Sequence, residues 1–300
     1  MKRILIAGAN GLIARHLTQH FATKGWEVVG LARRKEGLHP DCRYVNWDGE
    51  NLGSWAAELE QADILINLVG KSVNCRFTPK NRELIMSSRV NSTRILGQAM
   101  AACKHPPEVW VNASGANYYC DSSEHAHGED GDRGEGFMTD VVVAWEKALF
   151  ESKVPQQVRR VALRTTMVLA DTPGNPLGIF RKLAKFGLAG KISHGKQMVS
   201  WIHIDDVCRA VEWIVEREDL SGPVNMAAPE PLSNADFMRR FRESVSMPIG
   251  LPAAAWMVKI GTYLQGMEPE LILDSLWVVP DKLQSSGFEF KYPKLSPQDW

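Results

Sequence analysis

The chain has 300 residues, 44% of them hydrophobic and 23% charged, and its 35 Lys and Arg balance 35 Asp and Glu for a formal charge of zero. A chain of this length buries roughly three quarters of the surface it exposes when unfolded, which excludes a disordered polypeptide and leaves no need for stapling. Neutrality also excludes a protein whose main partner is a nucleic acid or an anionic membrane, since both are captured through a basic excess; any anion bound must be small and locally recognised.

Residues 3–7 form a short apolar run that stops at Gly8, the pattern of a strand buried on both faces. Ile13, Leu17 and Phe21 then recur every four residues on one helical stripe, which Gly25 closes as a left-handed cap. Residues 27–32 read as a second strand, so strand, helix and strand fit in the length of one βαβ unit. The alternation continues with a strand at 64–69, a helix around 82–103, a strand at 109–113, a helix over 137–151 and a strand at 161–164. Trp201 to Ile204 reads as an apolar strand holding His203, whose bland role is that of a bonded structural histidine. A periodic helix through Val207, Ala210, Val211, Ile214 and Val215 follows, with Asp205 or Asp206 as its cap. Another helix runs from Asn234 to Ser244, begun by Ser233 or Asn234.

This alternation predicts an α/β fold, a Rossmann-type doubly wound parallel sheet with a smaller discontinuous C-terminal α/β lobe. Residues 1–170 and 201–228 make the nucleotide-binding domain in this reading, and residues 171–200 and 229–300, punctuated by Gly and Pro, make the lobe. The polar, glycine-rich stretch from Glu124 to Gly136 reads as a mobile loop. Its His125, His127, Glu124, Glu129, Asp130 and Asp132 have a metal-like inventory, but no regular spacing fixes ligands, so no metal is expected. Five widely spaced cysteines, Cys42, Cys75, Cys103, Cys120 and Cys208, contain no C-x-x-C pair and fit a reducing compartment. With the first apolar run far short of a signal-peptide core, the expected location is cytoplasmic.

Chemistry starts at Gly8-Ala9-Asn10-Gly11-Leu12-Ile13-Ala14, between the first strand and the first helix. A glycine turn there presents backbone N–H groups and a helix N-terminus to a pyrophosphate. Its spacing is G-x-x-G-x-x-A: Gly8 allows the turn, Gly11 the approach of phosphate, and Ala14 close helix packing. After the second strand, where an NAD site places an acid for the ribose hydroxyl, stand Arg33-Arg34-Lys35. Guanidinium chelates phosphate oxygens bidentately, so this cluster points to a 2′-phosphate and to NADP(H), with Arg33 the leading contact and Arg34 beside it.

These residues, together with Asn67 to Gly70, Arg76-Phe77-Thr78, Ser88-Arg89, Thr93, Ser114, Tyr118-Tyr119 and Trp145-Glu146, resemble the short-chain dehydrogenase/reductase superfamily. The likeness is to its extended, epimerase-like branch, and within that to the atypical epimerase family proteins with a characteristic C-terminal domain. Arg164 to Leu169, Ser200 to Asp206, Val224 to Pro229, Pro280 and Gly287-Phe288 carry it over nearly the whole chain. The resemblance implies that Gly8, Asn10, Gly11, Leu12 and Ile13 hold the pyrophosphate and Arg33 the 2′-phosphate. It places Leu68, Val69 and Gly70 on the adenosine side, Arg89 within reach of the phosphates, and Met167 and Val168 by the nicotinamide. Ala14 and Asn10 depart from the family's usual Gly and Thr.

The superfamily's usual Tyr-x-x-x-Lys helix is absent, because Val142 and Glu146 stand at the two positions. Lys147 is one residue on, and one helical residue turns a side chain by roughly 100°. Ser114, Tyr118, Tyr119 and Glu146 are the available substitutes, the last as an acid or base if burial raises its pKa. The sequence thus supports an oxidoreductase or epimerase-like enzyme acting on a small-molecule substrate, with a non-catalytic NADP(H) sensor as the alternative. A homodimer is the assembly it leaves open.

Overall fold

The computed structural model describes residues 1–299. From the N-terminus, β1 (Arg3–Ala7), α1 (Leu12–Ala22), β2 (Glu27–Ala32), β3 (Cys42–Asn46), β4 (Ile64–Asn67), α2 (Pro79–Ala101), β5 (Val109–Gly115), α3 (Phe137–Phe150) and β6 (Arg159–Thr165) follow one another. Next come β7 (Met167–Leu169), α4 (Pro176–Lys185), β8 (Met198–Val199), β9 (Trp201–His203), α5 (Ile204–Glu216) and β10 (Gly222–Met226). The chain ends with β11 (Leu232–Ser233), α6 (Asn234–Ser244), α7 (Ala255–Gln265), α8 (Glu270–Leu273) and α9 (Asp281–Ser285).

Seven strands pair in parallel in the order β10-β6-β5-β4-β1-β2-β3, the expected doubly wound sheet. The apolar run of β1 alternates between two cores. Ile4 and Ile6 pack with Leu17 and Phe21 of α1 and with Val207, Val211 and Ile214 of α5. Leu5 and Ala7 face the other way, toward Leu96 and Met100 of α2, Trp110 and Leu149. Each fully buried large side chain contributes about 1.5–3 kcal/mol, so a strand apolar at every position holds both helical layers at once.

A third core lies outside the sheet and joins Leu177 and Ala184 of α4 to Trp201, Phe237, Met238, Phe241 and Leu295. Phe180, Phe237 and Phe241 form its aromatic centre, with ring centroids 5.1–5.2 Å apart. Among the described residues no helix is long and apolar enough to cross a membrane.

Some local expectations change. Asp205 and Asp206 do not cap α5; the His203 ring does, its Nδ1 accepting the Asp205 N–H at 3.0 Å while the ring packs on Tyr292. Ser233 caps α6 as expected, accepting from the Asp236 N–H. The 64–69 strand ends at Asn67, whose side chain turns back to accept the Val69 N–H at 3.1 Å. The edge strand β3 was not anticipated, because its alternating Cys42-Arg43-Tyr44-Val45-Asn46 leaves both faces half exposed.

The stretch from Glu124 to Gly136 is pinned, not free. His127 donates its N–H to Trp277 O at 2.7 Å and accepts from Val279 N at 3.0 Å, and the carboxylate of Glu129 accepts the N–H groups of Asn225 and Lys282. Both side chains are buried. The polar composition serves bonding between segments, which a count of glycines and acids does not reveal.

Where β1 turns into α1, Gly8 has φ +80°, and a Cβ there would lie 3.0 Å from the backbone of Leu68 and Val69; Gly25, with φ +78°, faces open space. Left-handed backbone costs an L-residue about 1–2 kcal/mol at either position, and overpacking adds about 1–3 kcal/mol at Gly8 alone. Gly8→Ala should therefore lose about 1 kcal/mol or more beyond Gly25→Ala in urea unfolding, and equal losses would contradict the close approach.

Candidate functional site

The sheet order reverses between β1 and β4, and in open α/β sheets the crevice beyond the strand ends at such a point takes the ligand. Gly8 lets the turn pass against Leu68, its N–H bonding Leu31 O at 3.0 Å and its carbonyl accepting from Gly11 N at 3.0 Å. No side chain caps α1, so its first N–H groups remain open toward the crevice. An uncapped first turn preceded by Gly11, which puts no side chain in front of it, fits a pyrophosphate.

Asn10 behaves differently from its neighbours. Its amide donates to Glu36 O at 2.7 Å and to Arg34 O at 3.3 Å, so the side chain anchors the basic loop after β2. Arg33 and Arg34 are exposed, and neither enters an ion pair among the described residues. Two unneutralised guanidinium groups beyond the end of β2 suit a small dianion.

On the opposite side, Leu68, Val69 and Gly70 follow β4 above a buried polar tie, Asn67 Nδ2 to Asn112 Oδ1 at 2.7 Å and to Thr93 Oγ1 at 3.1 Å. Arg89 of α2 lies against Gly70 and donates to Lys71 O and Ile85 O, both at 3.0 Å. Burial holds its guanidinium down at about 10, and it too lacks a carboxylate partner among the described residues. Met167 and Val168, partly buried in β7, lie beyond β6, with Val168 O bonded to Asn175 Nδ2 at 3.1 Å.

The four residues nominated for chemistry converge on one that was not, Arg164. Its guanidinium binds Glu146 bidentately, Nε to Oε1 at 2.8 Å and Nη2 to Oε2 at 2.9 Å. The Ser114 hydroxyl donates to Glu146 Oε1 at 2.7 Å. From Nη1, Arg164 donates to the Tyr119 hydroxyl at 2.9 Å and to Glu129 O at 3.1 Å, and Tyr119 donates onward to Asn225 Oδ1 at 2.7 Å. Tyr118 lays its ring against the guanidinium, 3.4 Å from its carbon to the ring centroid.

Electrostatics follow from this geometry. Burial alone would depress Arg164, but the hydrogen bond and charge of Glu146 outweigh it and hold the guanidinium above the usual arginine value. Burial pushes the Tyr119 phenol up to about 12 in spite of Arg164 beside it. Glu146 is engaged at both oxygens, twice at Oε1 and once at Oε2, and Tyr119 is a link bonded on both sides, so both are held in the network rather than turned toward a ligand. Tyr118 is the nominated residue whose hydroxyl is not spent in this network. The sequence reading names Arg164 and Asn225 only among the residues that carry the family likeness, and Glu129 only in the polar loop, and gives none of them a place in the site, although an arginine ending the apolar run Val161-Ala162-Leu163 is a signal that a buried acid must be near.

Val142, at the usual tyrosine position, is buried against Gly115. His125 and His127 pack ring to ring, and among the described residues no group of three or more His, Cys, Asp or Glu is placed to hold a metal ion.

Residues 4–227 match the model of the NAD dependent epimerase/dehydratase family, and residues 253–297 match a domain of unknown function, DUF1731. An epimerase family protein of Staphylococcus haemolyticus is 32% identical over 298 residues, 98% of this chain and 97% of that protein. The crystal structure of human epimerase family protein SDR39U1 (isoform 2) with NADPH superposes with a TM-score of 0.86 at 26% identity, covering 98% of this chain and 97% of the human one. The fold is also that of UDP-glucuronic acid 4-epimerase from Bacillus cereus in complex with UDP-glucuronic acid and NAD, with a TM-score of 0.76 at 16% identity over 99% and 96% of the two chains.

Removing one partner of a buried ion pair strands the other, at a cost of about 3–5 kcal/mol. Glu146→Gln should lose about 3 kcal/mol in urea unfolding, and adding Arg164→Met should recover part of that loss; additive losses would mean that the pair is not coupled. Tyr119 binds its proton more tightly folded, near pH 12, than unfolded, near 10. Its contribution is complete below pH 10 and is lost as pH rises from 10 toward 12, so Tyr119→Phe should flatten the alkaline fall in stability, which otherwise stays steep.

Proposed function

Given that the chain belongs to the NAD dependent epimerase/dehydratase family, we propose that it is an NADP(H)-dependent oxidoreductase or epimerase-like enzyme acting on a small-molecule substrate in the cytoplasm. The observation that carries the cofactor choice is the exposed Arg33-Arg34 pair, without an ion pair among the described residues and held beyond β2 by the Asn10 amide. NADPH in the human relative supports the same reading. When bound, the nicotinamide gives or takes a hydride at C4.

In this reading Leu12 and Ile13 offer the open N–H groups of the first helical turn to the pyrophosphate, Gly8 and Gly11 let the backbone approach it, and Asn10 acts through the basic loop. Leu68, Val69 and Gly70 flank the adenosine, Arg89 supplies positive charge behind Gly70, and Met167 and Val168 line the nicotinamide side. Residues 1–170 and 201–228 form the nucleotide domain; the stretches 171–200 and 229–300 share the third core and cover the substrate. Tyr118 exchanges the substrate proton through its phenol. Ser114 already donates to Glu146, so its oxygen accepts from a substrate hydroxyl rather than donating to a carbonyl. Glu146, Arg164 and Tyr119 position these two.

A second reading, a cofactor-binding sensor without turnover, is favoured by one observation: Val142 carries no proton, and the carboxylate one turn on is locked by Arg164. The two part in a carbonyl-substrate screen. Tyr118→Phe should lower turnover at least tenfold with NADPH affinity unchanged, whereas binding without turnover of any carbonyl by the wild type would favour the sensor. Arg33→Glu removes charge-assisted bonds of about 2 kcal/mol, so NADPH affinity should fall about 30-fold with NADH nearly unchanged. Equal losses in calorimetric titration would overturn the NADP(H) assignment.

A further inference from the structure

Immediately after Tyr119, Cys120 borders a cleft of about 460 Å³ whose walls include Asn117, Arg133, Thr139 and Asp274. That volume is within the range that takes small molecules. The Cys120 thiol stands 3.4 Å from His127 Nε2. Unlike a histidine on a free loop, His127 is fixed: its main chain is bonded to Trp277 and Val279, and its ring stacks on Tyr119 at 5.3 Å and 7°. The Cys120 N–H is bonded to Asp132 O at 3.1 Å, which holds the main chain from which the thiol projects. Gly131 is where it is because a Cβ would strike the His127 ring nitrogen Nδ1 at 2.8 Å.

We infer that Cys120 and His127 form a thiol–imidazole pair that adds to α,β-unsaturated carbonyl compounds entering this cleft. His127 is buried, and burial, with His125 adding to it, lowers its pKa from 6.5, so the ring is a neutral base at pH 7. Nε2 takes the thiol proton while the sulfur electron pair bonds the β-carbon of the acceptor. The carbon–carbon π pair moves into an enolate, which takes the proton back from the imidazolium at its α-carbon. One S–H and one π bond break, one S–C and one C–H bond form, and no oxidant or reductant is needed. The inference stands apart from the nucleotide reading.

Among the described residues the other thiols lack an imidazole at this distance. Burial pushes Cys42 up to about 11 and raises Cys103 and Cys208, while Cys75 is half-buried with its sulfur turned to Ser72 O at 3.6 Å. N-ethylmaleimide, itself an unsaturated carbonyl compound, is the probe, with the labelled cysteines mapped by mass spectrometry over time at pH 7. Cys120 should react at least tenfold faster than Cys75 in the wild type, and His127→Asn should slow Cys120 at least tenfold with Cys75 unchanged. Cys120 reacting no faster than Cys75, or keeping its rate in a folded His127→Asn variant, would overturn the inference. New labelling at buried Cys208 would signal that this variant has loosened, and the wild-type comparison with Cys75 then decides alone.

Discussion

A guanidinium taken out of water needs acceptors for its donors, and the end of the sheet is arranged around supplying them to Arg164. One carboxylate, one phenol and one carbonyl take four of its five N–H groups, and each comes from a different part of the chain: Glu146 from α3, Tyr119 from the turn after β5, and Glu129 from the pinned loop. Asn225 of β10 extends the chain of bonds from Tyr119, and the Glu129 carboxylate returns it to the Asn225 N–H. A closed circuit of this kind rigidifies because opening any member leaves another unsatisfied. It places Tyr118 over the guanidinium face as a consequence, so the candidate proton donor is positioned by a structural ion pair.

The crevice between β1 and β4 works on the opposite principle. There the backbone is brought close at Gly8, against Leu68, and left unsatisfied at the uncapped first turn of α1. Positive charge is treated alike on both flanks: Arg33 and Arg34 on one side and Arg89 on the other have no acidic partner among the described residues. In the proposed reading a phosphate-bearing ligand would supply what the protein withholds there, whereas around Arg164 the protein supplies the acceptors itself. The contrast separates the part of the molecule built to bind from the part built to hold shape.

Much of this was legible in the chain. Unbroken apolar runs, Ile4 to Ala7 of β1 and Ile64 to Ile66 of β4 above all, announce burial on both faces, and the Gly8 to Ala14 spacing follows from where a turn must pass a strand end. The edge strand β3 was not, since half-exposed alternation resembles a loop, and the α5 cap went to His203 because ring nitrogens cap less often than the adjacent aspartates. Nominating Ser114, Tyr118, Tyr119 and Glu146 found the right neighbourhood, yet their partnership depends on Arg164, Asn225 and Glu129, which contacts between distant segments alone bring together. Sequence periodicity reports what is buried; it does not report which buried acid meets which buried base.

In the proposed reading Glu146 and Arg164 form a permanent structural pair and leave Tyr118 as the side chain available to a substrate. A high-resolution crystal structure of the chain with NADPH tests it most directly. Both Glu146–Arg164 hydrogen bonds should remain at about 2.8–2.9 Å, as in the free chain, with the Tyr118 hydroxyl within reach of a ligand atom placed over nicotinamide C4. A Glu146 carboxylate swung free of Arg164 and facing the nicotinamide would contradict it.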